Sequence, residues 1–370
     1  MDDVVLIGFG NIGRAVAFDL VKSNIHPLVV DVDNEKLKIA SREFGLETLN
    51  LDVSNPLLID RLKGFNVAIT ALPGAIAYRV LNNLLNLGIN VVDVSYFPES
   101  PWSLDPIARE KNVVLIIDAG FAPGLTNILL GYFHSMYGGL NIGRIYVGGI
   151  SLDSTVPLGL VLTWSVEDLI DEYIRPARAI LNGSEVNLDP LSNTGEIEIL
   201  GVGVFEYFVS DGIRTMLKTF NGSSELIEYT LRYKGHLEIM RSLKKIGLLS
   251  YDSLNIDGVK IKMNILTAKI LNKIMVRNVP DRVVMYIEAF SNSNIHRKFI
   301  MDLCYDFNLN ITAMAKTTGF TQSSIAKMVI DNIIVDKGLL PPEFIGINLK
   351  YFEVFKRLID DRGLKFLELP

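Results

Sequence analysis

Val4-Val-Leu-Ile-Gly-Phe-Gly-Asn-Ile-Gly13 decides the fold of this chain. Four apolar residues, Val4 to Ile7, run straight into Gly8-x-Gly10-x-x-Gly13, and Arg14 to Val21 then reads as an amphipathic helix. Strand, tight turn and helix in that order suit a dinucleotide. Gly8 makes the turn, Gly10 lets the main chain approach a pyrophosphate, and Gly13 lets helix and strand pack closely. Asn11 and Ile12 open the helix, whose positive N-terminus attracts the phosphates. Asp31 ends a second apolar run 18 residues beyond Gly13. A carboxylate there accepts both hydroxyls of the adenosine ribose and repels a 2′-phosphate, so the expected cofactor is NAD.

Outward from this stretch, strand-like runs alternate with helix-like segments: Val4–Ile7, Leu28–Val30, Leu46–Leu51, Val67–Thr70, Val91–Val94 and Val113–Ile117. They predict a doubly wound α/β domain with a mostly parallel sheet, a Rossmann dinucleotide-binding domain over residues 1–120. Ligands of such sheets sit at the carboxyl ends of the strands. Beyond those ends lie Gly8 to Gly10, Asp31, Asp52-Val53, Leu72-Pro73-Gly74, Ser95-Tyr96 and Asp118-Ala119-Gly120, which are expected to line the cofactor cleft. Asp52 is placed toward the adenine, and Leu72-Pro73-Gly74 along the phosphates and nicotinamide ribose. Pro73-Gly74 reads equally as an ordinary turn. Asp118 reads either as a group that positions a substrate amine or takes its proton, or as a turn residue making an Asx bond.

After Asp118 the alternation stops. Phe121-Ala-Pro-Gly124 introduces an apolar helix, Leu125–Tyr137, and Phe121, Pro123 and Gly124 are expected to shape the nicotinamide pocket. Arg144–Ile150, Gly203–Val209 and Leu226–Tyr233 then read as strands, with Asn182-Gly183, Asp211-Gly212 and Asn221-Gly222 as turn signals. Helices are expected at Val166–Leu181 and Leu237–Ile246. This predicts an α+β second domain, residues 121–315, with an open antiparallel sheet that binds substrate and pairs in a homodimer. Residues 255–300 show no readable pattern. Ala313–Gly338 and Phe344–Arg362 read as helices, and residues 316–370 are expected to pack back on the first domain.

The 370 residues are enough for two cores, and 49% of them are apolar. No window of 18 residues lacks a charge or a helix breaker, so no membrane span is expected. Met1-Asp-Asp3 offers no cationic leader, and the expected location is the cytoplasm. The single cysteine, Cys304, excludes an internal disulfide, and the four histidines show no metal-ligand spacing, so no metal is expected. A net charge of −6 with no dense basic run argues against nucleic acid. The expected ligand beside the cofactor is a small molecule.

Three further stretches, Asp118-Ala-Gly-Phe-Ala-Pro-Gly-Leu-Thr-Asn127, Thr230-Leu-Arg-Tyr-Lys-Gly-His236 and Thr317-Thr-Gly-Phe-Thr321, follow the glycine fingerprint in order. With Ala71-Leu-Pro-Gly74, Val92-Asp-Val-Ser95, Thr163-Trp-Ser165, Glu172-Tyr173 and Arg175-Pro-Ala-Arg178, they make nearly the whole chain resemble the saccharopine dehydrogenase family. Within it the likeness is greatest to the stand-alone L-lysine 6-dehydrogenases. The chain departs from the family pattern at Val166-Glu167, where a proline and a basic residue would follow Trp-Ser, and through 255–300. The resemblance implies hydride exchange at a carbon bearing nitrogen: oxidative deamination of L-lysine at its ε-carbon to aminoadipate semialdehyde. Saccharopine-type or carboxynorspermidine-type dehydrogenation is the alternative, and a non-catalytic NAD-binding sensor is the reading from another class.

It also implies that Arg232 holds a substrate α-carboxylate, since a guanidinium fork pairs with a carboxylate through two bonds. His236 reads either as a group that orients that carboxylate or relays a proton, or as a cap of the following helix. Tyr96 and Trp164 read as apolar walls for a methylene chain or as plain core. Thr317 and Thr318, placed at a helix start, read as donors to an anion or as an ordinary N-cap.

Overall fold

The computed structural model describes residues 3–161, 166–275 and 279–370, which divide into two compact units. The first runs to Met136 and resumes over Ala315–Lys365; the second comprises Tyr137–Met314 and Phe366–Pro370. The helix Leu125–Met136, which the sequence reading gave to the second domain, therefore belongs to the first. Its residues from Leu125 to Gly131 are all buried, so cover is needed on more than one face. The short helix Pro342–Ile347 supplies part of that cover.

In the first unit, β1 (Val4–Ile7), β2 (Leu28–Asp31), β3 (Thr48–Asn50), β4 (Val67–Thr70), β5 (Asn90–Asp93) and β6 (Val114–Ile116) lie within two residues of the sequence reading. All pair in parallel in the order β3-β2-β1-β4-β5-β6, and a short strand, Gly338–Leu339, continues the sheet beyond β6. Strands covered on both faces read as unbroken apolar runs, as β1 and β6 do. The strand order reverses between β1 and β4. That is where a doubly wound sheet opens its ligand crevice.

The later helices are fastened to this sheet by buried polar bonds. Gln322, on the helix Ala313–Ile330, donates its amide to the Thr70 carbonyl at 2.8 Å and the Val92 carbonyl at 3.0 Å. Asp19, on helix α1 (Asn11–Lys22), accepts from Ser323 Oγ at 2.6 Å and from Arg362 Nε at 2.7 Å. Backbone contact fastens the helix Leu125–Met136: a Cβ on Gly346 would stand 1.9 Å from the Ile128 carbonyl oxygen and 2.5 Å from the Tyr132 nitrogen. Gly346→Ala is therefore expected to lower stability by about 1–3 kcal/mol, measured by urea denaturation. A neutral substitution would mean that this helix pair separates without cost.

The sheet of the second unit centres on Ile142–Ser151, which pairs with Glu225–Arg232 on one side and Asp281–Phe290 on the other. The first of these pairings is parallel, so the sheet is mixed rather than antiparallel throughout. Gly203–Ser210 and Thr194–Ile199 extend it beyond Glu225–Arg232, and His296–Cys304 and Leu367–Leu369 extend it beyond Asp281–Phe290. The helix expected over Val166–Leu181 is two elements. A helix of six residues, Val166–Asp171, gives way before Pro176, which cannot continue it, and Ala177–Leu181 forms a hairpin with Ser184–Leu188 across Asn182-Gly183. The unread stretch holds a hairpin across Asp257-Gly258, the helix Met263–Ile274 and the strand Asp281–Phe290. That strand is buried at seven of ten positions and so shows no alternation.

Candidate active site

The glycine loop is built as its spacing predicts. Gly8 takes φ +95°, and a Cβ on it would lie 2.3 Å from the Ala71 carbonyl oxygen; one on Gly13 would lie 2.0 Å from the Gly8 oxygen. A Cβ on Gly10 would meet nothing within 4 Å. Gly10 also caps helix α1 without a side-chain bond, and Gly10 and Asn11 are exposed. Open space beside an uncapped helix N-terminus fits a phosphate. Asp31 is buried beside this loop: its carboxylate accepts from the Phe9 N–H at 2.7 Å and the Asp33 N–H at 2.9 Å. The loop and the residue expected to read the ribose are thus one hydrogen-bonded piece.

Asp52 is exposed, and its Oδ1 accepts from both the N–H and the hydroxyl of Ser54. Those bonds hold its carboxyl below the ordinary carboxylate range. The Val53 side chain is buried in the core, so only its main chain is left for a cofactor. Leu72 donates its N–H to Ser95 Oγ at 3.0 Å, and Gly74 starts a helix hard against the Tyr96 carbonyl oxygen. Tyr96 itself is half-buried. Gly120 and Gly124 pair across a turn containing a cis Ala122-Pro123 bond, with Phe121 buried and Pro123 partly exposed. Asn127 accepts from the Gly124 N–H at 3.1 Å and donates to the buried Glu343 carboxylate.

Sequence reasoning passed over Asp93. This side chain is wholly buried at the end of β5, where Oδ1 accepts from the Thr70 and Ser95 hydroxyls, both at 2.6 Å, and Oδ2 accepts from the Ser95 N–H at 3.0 Å. Burial pushes its carboxyl up to about 7 despite these bonds, and the charge of Asp118 pushes the same way. Asp118 is also buried, with φ +52°. The signal in the sequence was the pair of strand-ending aspartates, Asp93 and Asp118.

In the second unit, Arg232 ends its strand with 1% exposure. It donates from Nε to Tyr173 Oη at 3.0 Å, from Nη1 to the Leu231 carbonyl at 3.0 Å and from Nη2 to Glu172 Oε2 at 2.9 Å. The fork expected to meet a substrate carboxylate meets Glu172 instead, because a desolvated guanidinium needs an anion at hand. Tyr173 Oη lies 2.7 Å from His236 Nε2, and His236 Nδ1 lies 2.9 Å from the Leu158 carbonyl. These partners fix the neutral tautomer that donates from Nδ1 and accepts at Nε2. Burial and the Arg232 charge hold this histidine down at about 3, so it relays no proton near neutral pH. It caps no helix either, since the following helix is capped by Glu206, which accepts the Leu237 N–H at 2.6 Å.

Two other expectations change. Thr317 and Thr318 lie a full turn inside the helix Ala313–Ile330, where their N–H groups belong to the helix ladder. Its N-terminus is capped by Asp281, which accepts from the N–H groups of Ala313 and Met314 at 2.6 and 2.9 Å. Thr318 instead turns its methyl toward Gly120. Trp164 lies outside the described residues. Arg178 forms a two-point pair with Asp211, at 2.9 Å for both bonds, and Arg175 approaches the same carboxylate at 3.8 Å.

Residues 4–116 match the family model described as the saccharopine dehydrogenase NADP binding domain, and residues 120–364 match that of the saccharopine dehydrogenase C-terminal domain. Saccharopine dehydrogenase [NADP(+), L-glutamate-forming] of Saccharomyces cerevisiae is 23% identical over 71% of this chain and 62% of its own length. Mitochondrial alpha-aminoadipic semialdehyde synthase of Rattus norvegicus is 22% identical over 92% of this chain and 45% of its own. The chain thus spans under two thirds of the length of either relative. Among solved structures, apo saccharopine dehydrogenase (L-Glu forming) from Saccharomyces cerevisiae superposes with a TM-score of 0.82 at 19% identity, covering 99% of both chains. The homospermidine synthase of Legionella pneumophila, in complex with NAD, superposes with a TM-score of 0.67 at 14% identity over 99% of this chain and 90% of that one.

Proposed function

The chain belongs to the saccharopine dehydrogenase family, and from that premise we propose that it is an NAD-dependent oxidoreductase that deaminates free L-lysine at its ε-carbon. The observation that carries the choice of a substrate with one carboxylate is the engagement of the other arginines. Saccharopine has three carboxylates, yet Arg175 and Arg178 are both drawn to Asp211. In this reading the substrate's carboxylate takes the place of Glu172, which holds Arg232 by a single bond, whereas Asp211 holds Arg178 by two.

The bound nicotinamide supplies the hydride acceptor. The chain's own part is to hold the dinucleotide on the Gly8 to Gly13 loop and Asp31, to fix the Leu72-Pro73-Gly74 and Gly120 to Gly124 turns, and to take a proton from the substrate amine. An alkylammonium ionises near ~10.4, so an acceptor must lie beside it. The test is NADH production at alkaline pH from lysine, ornithine, saccharopine and carboxynorspermidine. Lysine is expected to give the highest kcat/KM and a product that cyclises on its own amine. Turnover of saccharopine without turnover of lysine would transfer the assignment to saccharopine.

Asp31 and Asp33 lead us to propose NAD over NADP. Two charges at ~4 Å repel by ~4 kcal/mol at an effective dielectric of 20, and screening lowers this in water. NAD is expected to be favoured at least about tenfold in kcat/KM, and Asp31→Ser should gain activity with NADP. Equal kcat/KM with both cofactors would remove Asp31 from the ribose site.

A further inference from the structure

We propose that Asp93 and Asp118 act as one carboxylate pair whose fully ionised form receives the proton of the substrate ammonium, with Asp93 as the positioning residue behind Asp118. The proposal rests on the amine-oxidising reading above. It begins from where the two side chains stand. Asp93 ends β5 and Asp118 follows the neighbouring β6, both are buried, and the Ala119 N–H, next to Asp118, donates to the Asp93 carbonyl at 2.8 Å. The carboxyl ends of these strands form the crevice side of the sheet.

The surroundings of Asp93 are polar and hydrogen-bonded. Thr70 reaches it from β4, Ser95 from its own strand end, and Ser95 Oγ in turn receives the Leu72 N–H from the turn that leads into Pro73-Gly74. The helix Ala313–Ile330 contributes the neutral amide of Gln322, bonded to the carbonyls of Thr70 and Val92. The charge of Asp118 acts on Asp93 and disfavours its ionisation. Two like charges confined together bind one proton much more tightly than either carboxylate alone. That raised affinity suits the pair to an ammonium donor.

The ammonium N–H bond breaks and its proton goes to the pair, whose charge falls from −2 to −1. The freed nitrogen lone pair forms the C=N bond as the adjacent carbon gives up hydride, with its two electrons, to the nicotinamide dinucleotide. Water then hydrolyses the resulting iminium to aldehyde and ammonium.

The experiment has two arms, and each reads Asp93→Asn, Asp118→Asn and the milder Ser95→Ala. In the substrate-free protein, infrared difference spectra against pH should show a buried carboxyl C=O stretch that titrates near pH 7. It should be lost in Asp93→Asn, shifted to lower pH in Asp118→Asn and shifted to higher pH in Ser95→Ala, which removes bonds that favour the charged form. In the kinetic arm, the acid limb of kcat/KM should fall by more than about one pH unit in Asp93→Asn and rise in Ser95→Ala. An acid limb unmoved in both Asp93→Asn and Ser95→Ala, or no titrating carboxyl in the infrared, overturns the pair. A titrating pair in a protein that oxidises no amine would leave the pairing standing and sink the functional reading instead.

Discussion

Arg232→Ala should cost the protein about 3–5 kcal/mol of stability, the range for breaking a buried ion pair from one side. The guanidinium is 1% exposed, bonded at three points, and lies 5.9 Å from the Tyr173 ring centre and 5.5 Å from that of Phe208. Removing it strips a donor from Tyr173 and takes from the Glu172 carboxylate its hydrogen-bonded cation, leaving the charge of Arg175, while burial already raises its pKa. It also leaves a cavity where a long side chain packed. Arg232→Lys keeps the charge but not the planar fork, and should recover only part of the loss. The informative partner is Glu172→Gln. In the Arg232→Ala background it should restore stability, since no carboxylate is then left without a hydrogen-bonded cation. Urea denaturation at neutral pH measures all three. A loss under about 1 kcal/mol for Arg232→Ala would show that the guanidinium is not held inside the unit.

What could be read in the sequence follows from how locally each feature is determined. β1 to β6 were legible mainly because buried strands are short apolar runs, with Gly8, Asp31 and Asp93 marking the ends of β1, β2 and β5. The cofactor loop was legible because Gly13 packs against Gly8 within the same turn, while Gly8 also abuts the Ala71 carbonyl beyond β4. The start of the helix Ala313–Ile330 was legible but its cap was not, since Asp281 lies 32 residues upstream. Arg232 stood out by its motif, but its partners Glu172 and Tyr173 lie 60 and 59 residues before it, and no spacing rule predicts that they enclose it. Asp93 was read as part of the strand Val91–Val94. Only the fold brings Thr70 and Asp118 to the same place.

The last prediction concerns two groups whose burial acts in opposite directions with pH. His236 is held down at about 3 against an ordinary 6.5, so the folded chain refuses a proton that the unfolded chain accepts. Its stabilisation is complete above pH 6.5 and is lost as pH falls toward 3, by at most about 4–5 kcal/mol. Asp93 is pushed up to about 7 from 3.8, so here the folded chain keeps a proton that the unfolded chain releases. That contribution is complete below pH 3.8 and is lost as pH rises through 7, by at most about 4 kcal/mol. Between pH 4 and 6.5 the two slopes, each near ~1.4 kcal/mol per pH unit, oppose one another and conceal both groups in the wild-type curve. Substitution should expose them. Relative to wild type, Asp93→Asn should make stability rise more steeply with pH across this window, and His236→Gln should make it fall. Urea denaturation at half-unit steps of pH gives the difference curves, in which titrations common to all three proteins cancel. Parallel curves for Asp93→Asn and wild type would mean that Asp93 ionises as easily folded as unfolded, and parallel curves for His236→Gln would say the same of the histidine.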